Sequence, residues 1–216
     1  PIYTLYFSGT GALITDRYTQ KNLGYDPDKD FTLISMIYEE GSLAIAVHPE
    51  LPVKTLPELL TLARQQPGKL SVATTSVSLL ILFAQWVKYL GKVDIVEVPY
   101  KTAAQQMQDV ISGRVPIIIS APPQMEPYIK VGKLRAIAVS APKRLTALPD
   151  IPAMNEALPG FEFVGWYGVV GPARMPEAVE TKVHRDFSAV VAQPEFKNRM
   201  LELDIETFPN TREASR

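Results

Sequence analysis

Few residues in this chain could do acid–base or nucleophilic chemistry. Its two histidines are isolated: His48 stands in Val47-His48-Pro49 at a strand exit, and His184 lies inside an amphipathic helix. Neither has metal-ligand spacing, so each reads as a surface or capping residue, and no metal site is expected. There is no cysteine, which excludes disulfides, thiolate metal sites and cysteine nucleophiles. Ser8-Gly9-Thr10-Gly11 lacks the third glycine and the helix-plus-acid context of a dinucleotide loop, and no P-loop or nucleophile elbow occurs. Asp26-Pro27-Asp28-Lys29-Asp30 has a proline and no distal glutamate, so it reads as turn chemistry rather than a cation loop.

What the chain does offer is uncharged donors at strand ends. Ser8, Gly9 and Thr10 follow a first strand. Thr74, Thr75, Ser76 and Ser78 follow another. Lys101, Thr102 and Ala103 stand at a capped helix start, and Ser120 and Ala121 follow a proline-bearing strand. In open α/β sheets ligands bind beyond the carboxyl ends of strands, beside helix N-termini. Those termini carry about half a positive charge and open N–H groups, so they suit a carboxylate or phosphate without any arginine. The competing reading is that each hydroxyl only caps its helix. Trp166-Tyr167 lies in a strand candidate, Phe161–Val170, where adjacent side chains face opposite ways and at most one lines a cleft.

The elements that must position these groups alternate. Thr55-x-x-Glu58 with Pro57 is a capping box that opens a helix ending at Pro67-Gly68. Then come a strand (Leu70–Thr74), an apolar helix (Leu79–Leu90) with Gly91 as its C′ residue, and a strand (Val93–Val98). A second box at Thr102-x-x-Gln105 opens a helix ending at Gly113. Strand Val115–Ser120, a helix over Gln124–Val131 and strand Leu134–Val139 follow. Such alternation predicts a parallel sheet with right-handed crossovers. The flanks hold strand-like runs at Tyr3–Phe7, Phe31–Tyr38 and Leu43–Val47. A helix from Glu177 to about Val191 carries an apolar stripe of Val179, Val183, Phe187 and Val190. Asn210-Thr211-Arg212-Glu213 looks like an N-cap with almost no helix behind it, so a chain shortened at both ends is expected.

Composition narrows the class. Lys+Arg number 22 and Asp+Glu 23, a net charge of −1; a nucleic-acid footprint needs a clustered basic excess, so no nucleic-acid partner is expected. The apolar run from Val77 to Phe83 is far short of the ~20 residues a bilayer span requires.

A collinear series of short motifs then carries a resemblance. Tyr3-Thr4-Leu5 with Ser8-Gly9-Thr10, Tyr25-Asp26-Pro27-x-Lys29-Asp30-Phe31, Val47-His48-Pro49-x-Leu51-Pro52, Pro67-Gly68-Lys69-Leu70, Val98-Pro99-Tyr100-Lys101, Gly132-Lys133-Leu134-Arg135-Ala136 and Leu148-Pro149-Asp150-Ile151-Pro152 stand in order. Across essentially the whole chain this resembles the substrate-binding proteins of tripartite tricarboxylate transporters. The resemblance implies an α/β, type II periplasmic-binding fold of two lobes, each a mainly parallel sheet flanked by helices. Residues 48–139 would form the second lobe, and 1–47 with 140–216 an incomplete first lobe. Leu43–Val47 and Ala138–Ser140 would carry the hinge crossings.

The function so implied is a secreted periplasmic receptor, not an enzyme, acting as a monomer without cofactor. It would close an interlobe cleft on a small organic carboxylate and deliver it to the transporter's membrane subunits, its signal peptide lying outside this chain. Carried over residue by residue, the ligand-facing set is Ser8, Gly9, Thr10, Thr74, Thr75, Ser76, Ser78, Lys101, Thr102, Ala103, Ser120 and Ala121. The family's opening strand, its glycine-rich loop and the next helix and strand would precede Pro1. The Thr74–Ser78 loop has no glycine, and Ile119-Ser120-Ala121 replaces the more usual Asp-Asn; both favour a more apolar or aromatic acid. Two alternatives stay open: a hydrolase or isomerase acting on a small acid, and a ligand-loaded partner of a signalling receptor.

Overall fold

Side chains of alternating size assign the faces of the larger sheet, and with them the places where helices dock. The computed structural model describes residues 4–40, 42–75, 77–145, 148–161, 163, 165–202, 205 and 207. In chain order β1 (Tyr6–Gly9) leads into a π-helical turn (Gly11–Thr15), α1 (Asp16–Thr19), α2 (Pro27–Asp30) and β2 (Phe31–Glu40). Next come β3 (Ala44–Val47), α3 (Leu56–Gln65), β4 (Ser71–Thr75), α4 (Ser78–Gly91), β5 (Val96–Tyr100) and α5 (Ala103–Ile111). They are followed by β6 (Ile117–Ser120), α6 (Pro122–Lys130), β7 (Arg135–Val139) and α7 (Met154–Ala157), then β8 (Gly165–Pro172), α8 (Glu177–Val191) and α9 (Pro194–Glu202). The chain divides into two units, Ser42–Val164 and Pro1–Gly41 with Gly165–Arg216. The expected Asn210 cap lies outside the described residues.

In the Ser42–Val164 unit five strands stand in the order β5-β4-β6-β3-β7. β4 runs parallel to β5 and β6, while β3 is antiparallel to β6 and β7. One face presents Ile45, Val47, Val72, Ile117, Ile119 and Ile137, packed with Leu56, Leu59 and Leu60 of α3 and Phe83, Ala84 and Val87 of α4. The other presents Ala44, Ala46, Ala73, Ile118 and Ala136, packed with Met107 and Val110 of α5 and Met125 of α6. Period-two alternation thus buries both faces, the small residues giving α5 and α6 a close approach.

Local signals explain several elements. Thr55 Oγ1 accepts the Glu58 N–H at 3.3 Å to cap α3. Gly91 does not terminate α4 as a C′ residue: it is the last helical residue, and Lys92 takes the left-handed conformation at φ 50°. Its need is steric, since a Cβ at Gly91 would stand 2.7 Å from Leu60 Cδ2. Phe161 and Phe163, expected in a strand, instead pack edge-on against Phe83, at ring distances of 5.5 and 5.0 Å. The strand that follows begins only at Gly165.

The other unit departs from the expected parallel sheet. Its three strands run β1-β8-β2, with β8 central and antiparallel to both neighbours. β1 and β2 are therefore parallel to each other, but the returning β8 separates them; side-chain alternation carries no information about strand direction. α8 packs on this sheet through Val179, Val183 and Phe187, joined by Val191, against Ile34, Ile37 and Val169. Val190, expected on that stripe, is 46% exposed. His184 Nδ1 lies 2.8 Å from the Ile34 carbonyl oxygen, a structural tie between α8 and β2.

The boundaries also differ from those expected. β3 (Ala44–Val47) sits inside the five-stranded sheet, and Met154, Leu158 and Phe161 belong to that sheet's core. The division accordingly falls at 41/42 and 164/165, not at 47/48 and 139/140, and Leu43–Val47 and Ala138–Ser140 are interior to one unit rather than crossings.

Candidate functional site

Three parallel strands finish on one edge of the five-stranded sheet, and each is followed by a helix. Thr75 pairs in register with Tyr100, and Ala73 with Ile118. The ends of β5, β4 and β6 therefore present Tyr100, Thr75 and Ser120 side by side. The N-termini of α4, α5 and α6 necessarily lie on this same edge, because each helix leaves the strand that ends there.

Along each strand alternate residues share a face, so Thr75 lies on the Ala73 side and Ser120 on the Ile118 side, the face covered by α5 and α6. Thr75 Oγ1 is enclosed and has no hydrogen-bond partner among the described residues. Ser120 is 4% exposed and its hydroxyl donates to Gln124 Oε1 at 2.6 Å. Thr74 is buried and alternates to the opposite face, with Val72, away from this group.

The helix starts differ in what they can donate. Thr102 Oγ1 accepts the Gln105 N–H at 3.2 Å, and the first rung of α5 is Gln106 N–H to the Thr102 carbonyl. The amides of Ala103 and Ala104 thus lie ahead of the ladder, directed out of the helix start. Lys101, Thr102 and Ala103 are all exposed. At α4 the Val77 carbonyl takes the Leu80 and Ile81 N–H groups, which leaves the Ser78 and Leu79 amides ahead of that ladder. Ser76 and the side chain of Ser78 lie outside the described residues.

α6 does not fit the expectation for Ser120-Ala121. Pro122 and Pro123 occupy its first turn and carry no N–H, while Gln124 N–H is taken by the Ala121 carbonyl at 3.0 Å. That helix start supplies a hydroxyl, not a set of amides.

The Ser8-Gly9-Thr10 group belongs to the other unit. Thr10 does not cap the turn that follows it; its Oγ1 accepts the Trp166 N–H at 2.8 Å. Ser8 Oγ is buried without a partner among the described residues. A Cβ at Gly9 would meet the Trp166 carbonyl oxygen at 2.4 Å. Trp166 and Tyr167 are both half-buried, and the Tyr167 ring stacks on Phe7 at 5.7 Å.

Two residues escape a reading of the sequence. Tyr100 donates its hydroxyl to Asp109 Oδ2 at 2.9 Å, and Arg114 Nη1 reaches Asp109 Oδ1 at 2.9 Å. Burial, then the Asp109 bond, raises the Tyr100 hydroxyl above its ordinary pKa. Gln106, 1% exposed, donates Nε2 to the carbonyls of Ala73 and Ile119 at 2.8 and 3.0 Å. Its one signal in the sequence is a polar residue on the inward stripe that also holds Met107 and Val110.

Comparison with known proteins then decides the family. The model described as tripartite tricarboxylate transporter family receptor (TctC) matches residues 2–215. The chain belongs to this family. Among solved TctC-like structures, R. palustris Rpa4515 with adipate is 29% identical with a TM-score of 0.80, covering 95% of this chain and 69% of that one. MatC (Rpa3494) from Rhodopseudomonas palustris with bound malate is 26% identical with a TM-score of 0.77, covering 94% and 69%. The periplasmic binding protein BugD is 27% identical with a TM-score of 0.76, covering 96% and 69%. The α/β fold of this TctC-family chain, a mixed sheet flanked by helices, is that of these proteins, which are described as binding proteins or by a bound acid rather than as enzymes. The chain spans about six-tenths (61% and 62%) of the length of the curated relatives that match it at 28% and 29% identity.

Proposed function

We propose that this chain is part of a periplasmic receptor that holds a small organic carboxylate and delivers it to membrane transporter subunits. The observation that carries this reading is the enclosed Thr75 hydroxyl, without a partner among the described residues, on the edge where α4 and α5 begin. A buried hydroxyl without a partner costs about 1–3 kcal/mol, and an anion seated there would accept its proton. The forward amides of Ala103 and Ala104, with the positive ends of two helices, stabilise the same charge, and Lys101 adds an exposed cation next to the cap.

Val77, 53% exposed, stands at the start of α4 and offers apolar surface beside those donors. This favours an acid whose carboxylate is followed by methylene groups over one carrying further hydroxyls. Adipate with Rpa4515 and malate with MatC supply the two chemistries to compare. Delivery to membrane subunits rests on the family's description, and a periplasmic location on relatives such as BugD.

Titration calorimetry of the full protein tests the reading. Saturable binding of adipate, tighter than of malate, is the expected result. An acid at 100 times its dissociation constant would also stabilise the fold by about 2.7 kcal/mol. Absence of heat and of thermal shift across mono- and dicarboxylates of two to eight carbons would overturn it.

A further inference from the structure

We infer that Gln106 is a positioning residue that fixes how far apart the β4 and β6 ends stand, and thereby selects the length of acid accepted; this rests on the carboxylate reading above. A carboxamide is costly to bury unless its polar atoms are used. Gln106 is 1% exposed and spends its amide nitrogen on two different strands, Ala73 of β4 at 2.8 Å and Ile119 of β6 at 3.0 Å. The place of this bridge is specific. Among the described residues β4 and β6 pair at two positions, Val72 with Ile117 and Ala73 with Ile118. Gln106 spans the strands where that ladder stops, just before Thr75 on one side and Ser120 on the other.

The same residue also locates α5. Its backbone N–H makes the helix's first rung, to the Thr102 carbonyl at 3.1 Å. One residue therefore ties three elements together, by its side chain the ends of β4 and β6 that carry Thr75 and Ser120, and by its backbone the start of α5 that presents the amides of Ala103 and Ala104. Losing the bridge lets the strand ends part and shifts the amides relative to Thr75. Acids of different length span that distance differently, so their affinities change unequally. A side chain that merely filled the core would weaken both acids alike.

Two readouts on the full protein test this, comparing wild type with Gln106→Met, which keeps length and loses both donors. The first is the ratio of adipate to malate affinity by calorimetry, expected to change by at least about fivefold. The second is hydrogen exchange, expected to accelerate at residues 73–75 and 119–121 while β8 is unaffected. An unchanged ratio, with both affinities falling together or neither moving, overturns the inference, as does unchanged exchange at those residues. Should Gln106→Met fail to fold, Gln106→Asn, which keeps the donors on a shorter arm, is read by the same two criteria. If wild type binds neither acid, the carboxylate reading falls with the selectivity claim, and the exchange result alone decides whether Gln106 clamps the strands.

Discussion

The hydroxyl of Thr10 accepts the backbone N–H of Trp166 at 2.8 Å, across 156 positions of sequence. It joins the end of β1 to the start of β8, and Thr10 is 8% exposed. Thr10→Val keeps the shape and leaves that amide without an acceptor, so a loss of about 1–3 kcal/mol is expected. Thr10→Ser retains the acceptor and should lose much less. Urea denaturation of the two variants, followed by far-ultraviolet circular dichroism, measures the difference.

Two glycines of the three-stranded sheet are fixed by close backbone approach. A Cβ at Gly9 would stand 2.4 Å from the Trp166 carbonyl oxygen, and one at Gly168 2.4 Å from that of Ser35. Both obstacles are main chain, so Gly9→Ala and Gly168→Ala should each destabilise by about 1–3 kcal/mol. Gly11→Ala is the control: no atom lies within 4 Å of its Cβ position, and the helical turn there should gain about 0.5–1 kcal/mol. Thermal melts of the three variants should separate into these two groups.

Acid should weaken the loop ahead of α7. Arg144 donates Nε and Nη2 to the two oxygens of Glu156 at 2.9 and 2.8 Å, and the Ala153 N–H donates to the same carboxylate at 2.9 Å. The Arg144 bond foremost, then the Ala153 amide, lowers the Glu156 pKa from 4.5 to about 2. A depressed carboxylate stabilises fully above its unfolded value and loses that contribution as pH falls through its folded one. The stability difference between wild type and Glu156→Gln should be constant above about pH 5 and vanish between pH 4.5 and about 2. Denaturation midpoints measured across that range check it.

Thr102 allows binding and folding to be separated. Its hydroxyl caps α5, and aspartate is as good an N-cap, so Thr102→Asp should leave the melting temperature unchanged or slightly higher. A second carboxylate beside the Ala103 and Ala104 amides would repel a bound anion by about 4 kcal/mol at 4 Å and an effective dielectric of 20. Carboxylate affinity should therefore drop at least about tenfold. Equal affinity in calorimetry would remove this helix start from the site.

Local chemistry was readable in advance where the partner is a neighbour. The Thr55 and Thr102 caps and the run of helices after strands all follow from residues within a few positions of each other. Features set by distant partners were not. Strand direction is invisible to side-chain alternation, so the antiparallel β8 could not be told from a parallel strand. Phe161 and Phe163 have strand-like composition, yet the Phe83 ring decides where they go. Gly91 looks like a helix stop and serves Leu60 instead. In the site, the hydroxyls of Thr75 and Ser120 could be named, but their shared face required the register of β4 and β6. Gln106 was missed because its worth depends on two carbonyls from strands not yet placed.

The central position of β8 also sets an order of events in time. Ser42–Val164 is an unbroken stretch that a nascent chain can fold as it emerges, whereas β1 and β2 have no strand between them until Gly165–Pro172 has been made. Closing so long a loop before any contact rewards it is slow. In refolding followed by pulsed hydrogen exchange, the amides of β3, β4 and β6 should gain protection first, and those of β1 and β2 together with β8 afterwards. On this order the three-stranded sheet is expected to close after the five-stranded one, because its central strand is made last of the three.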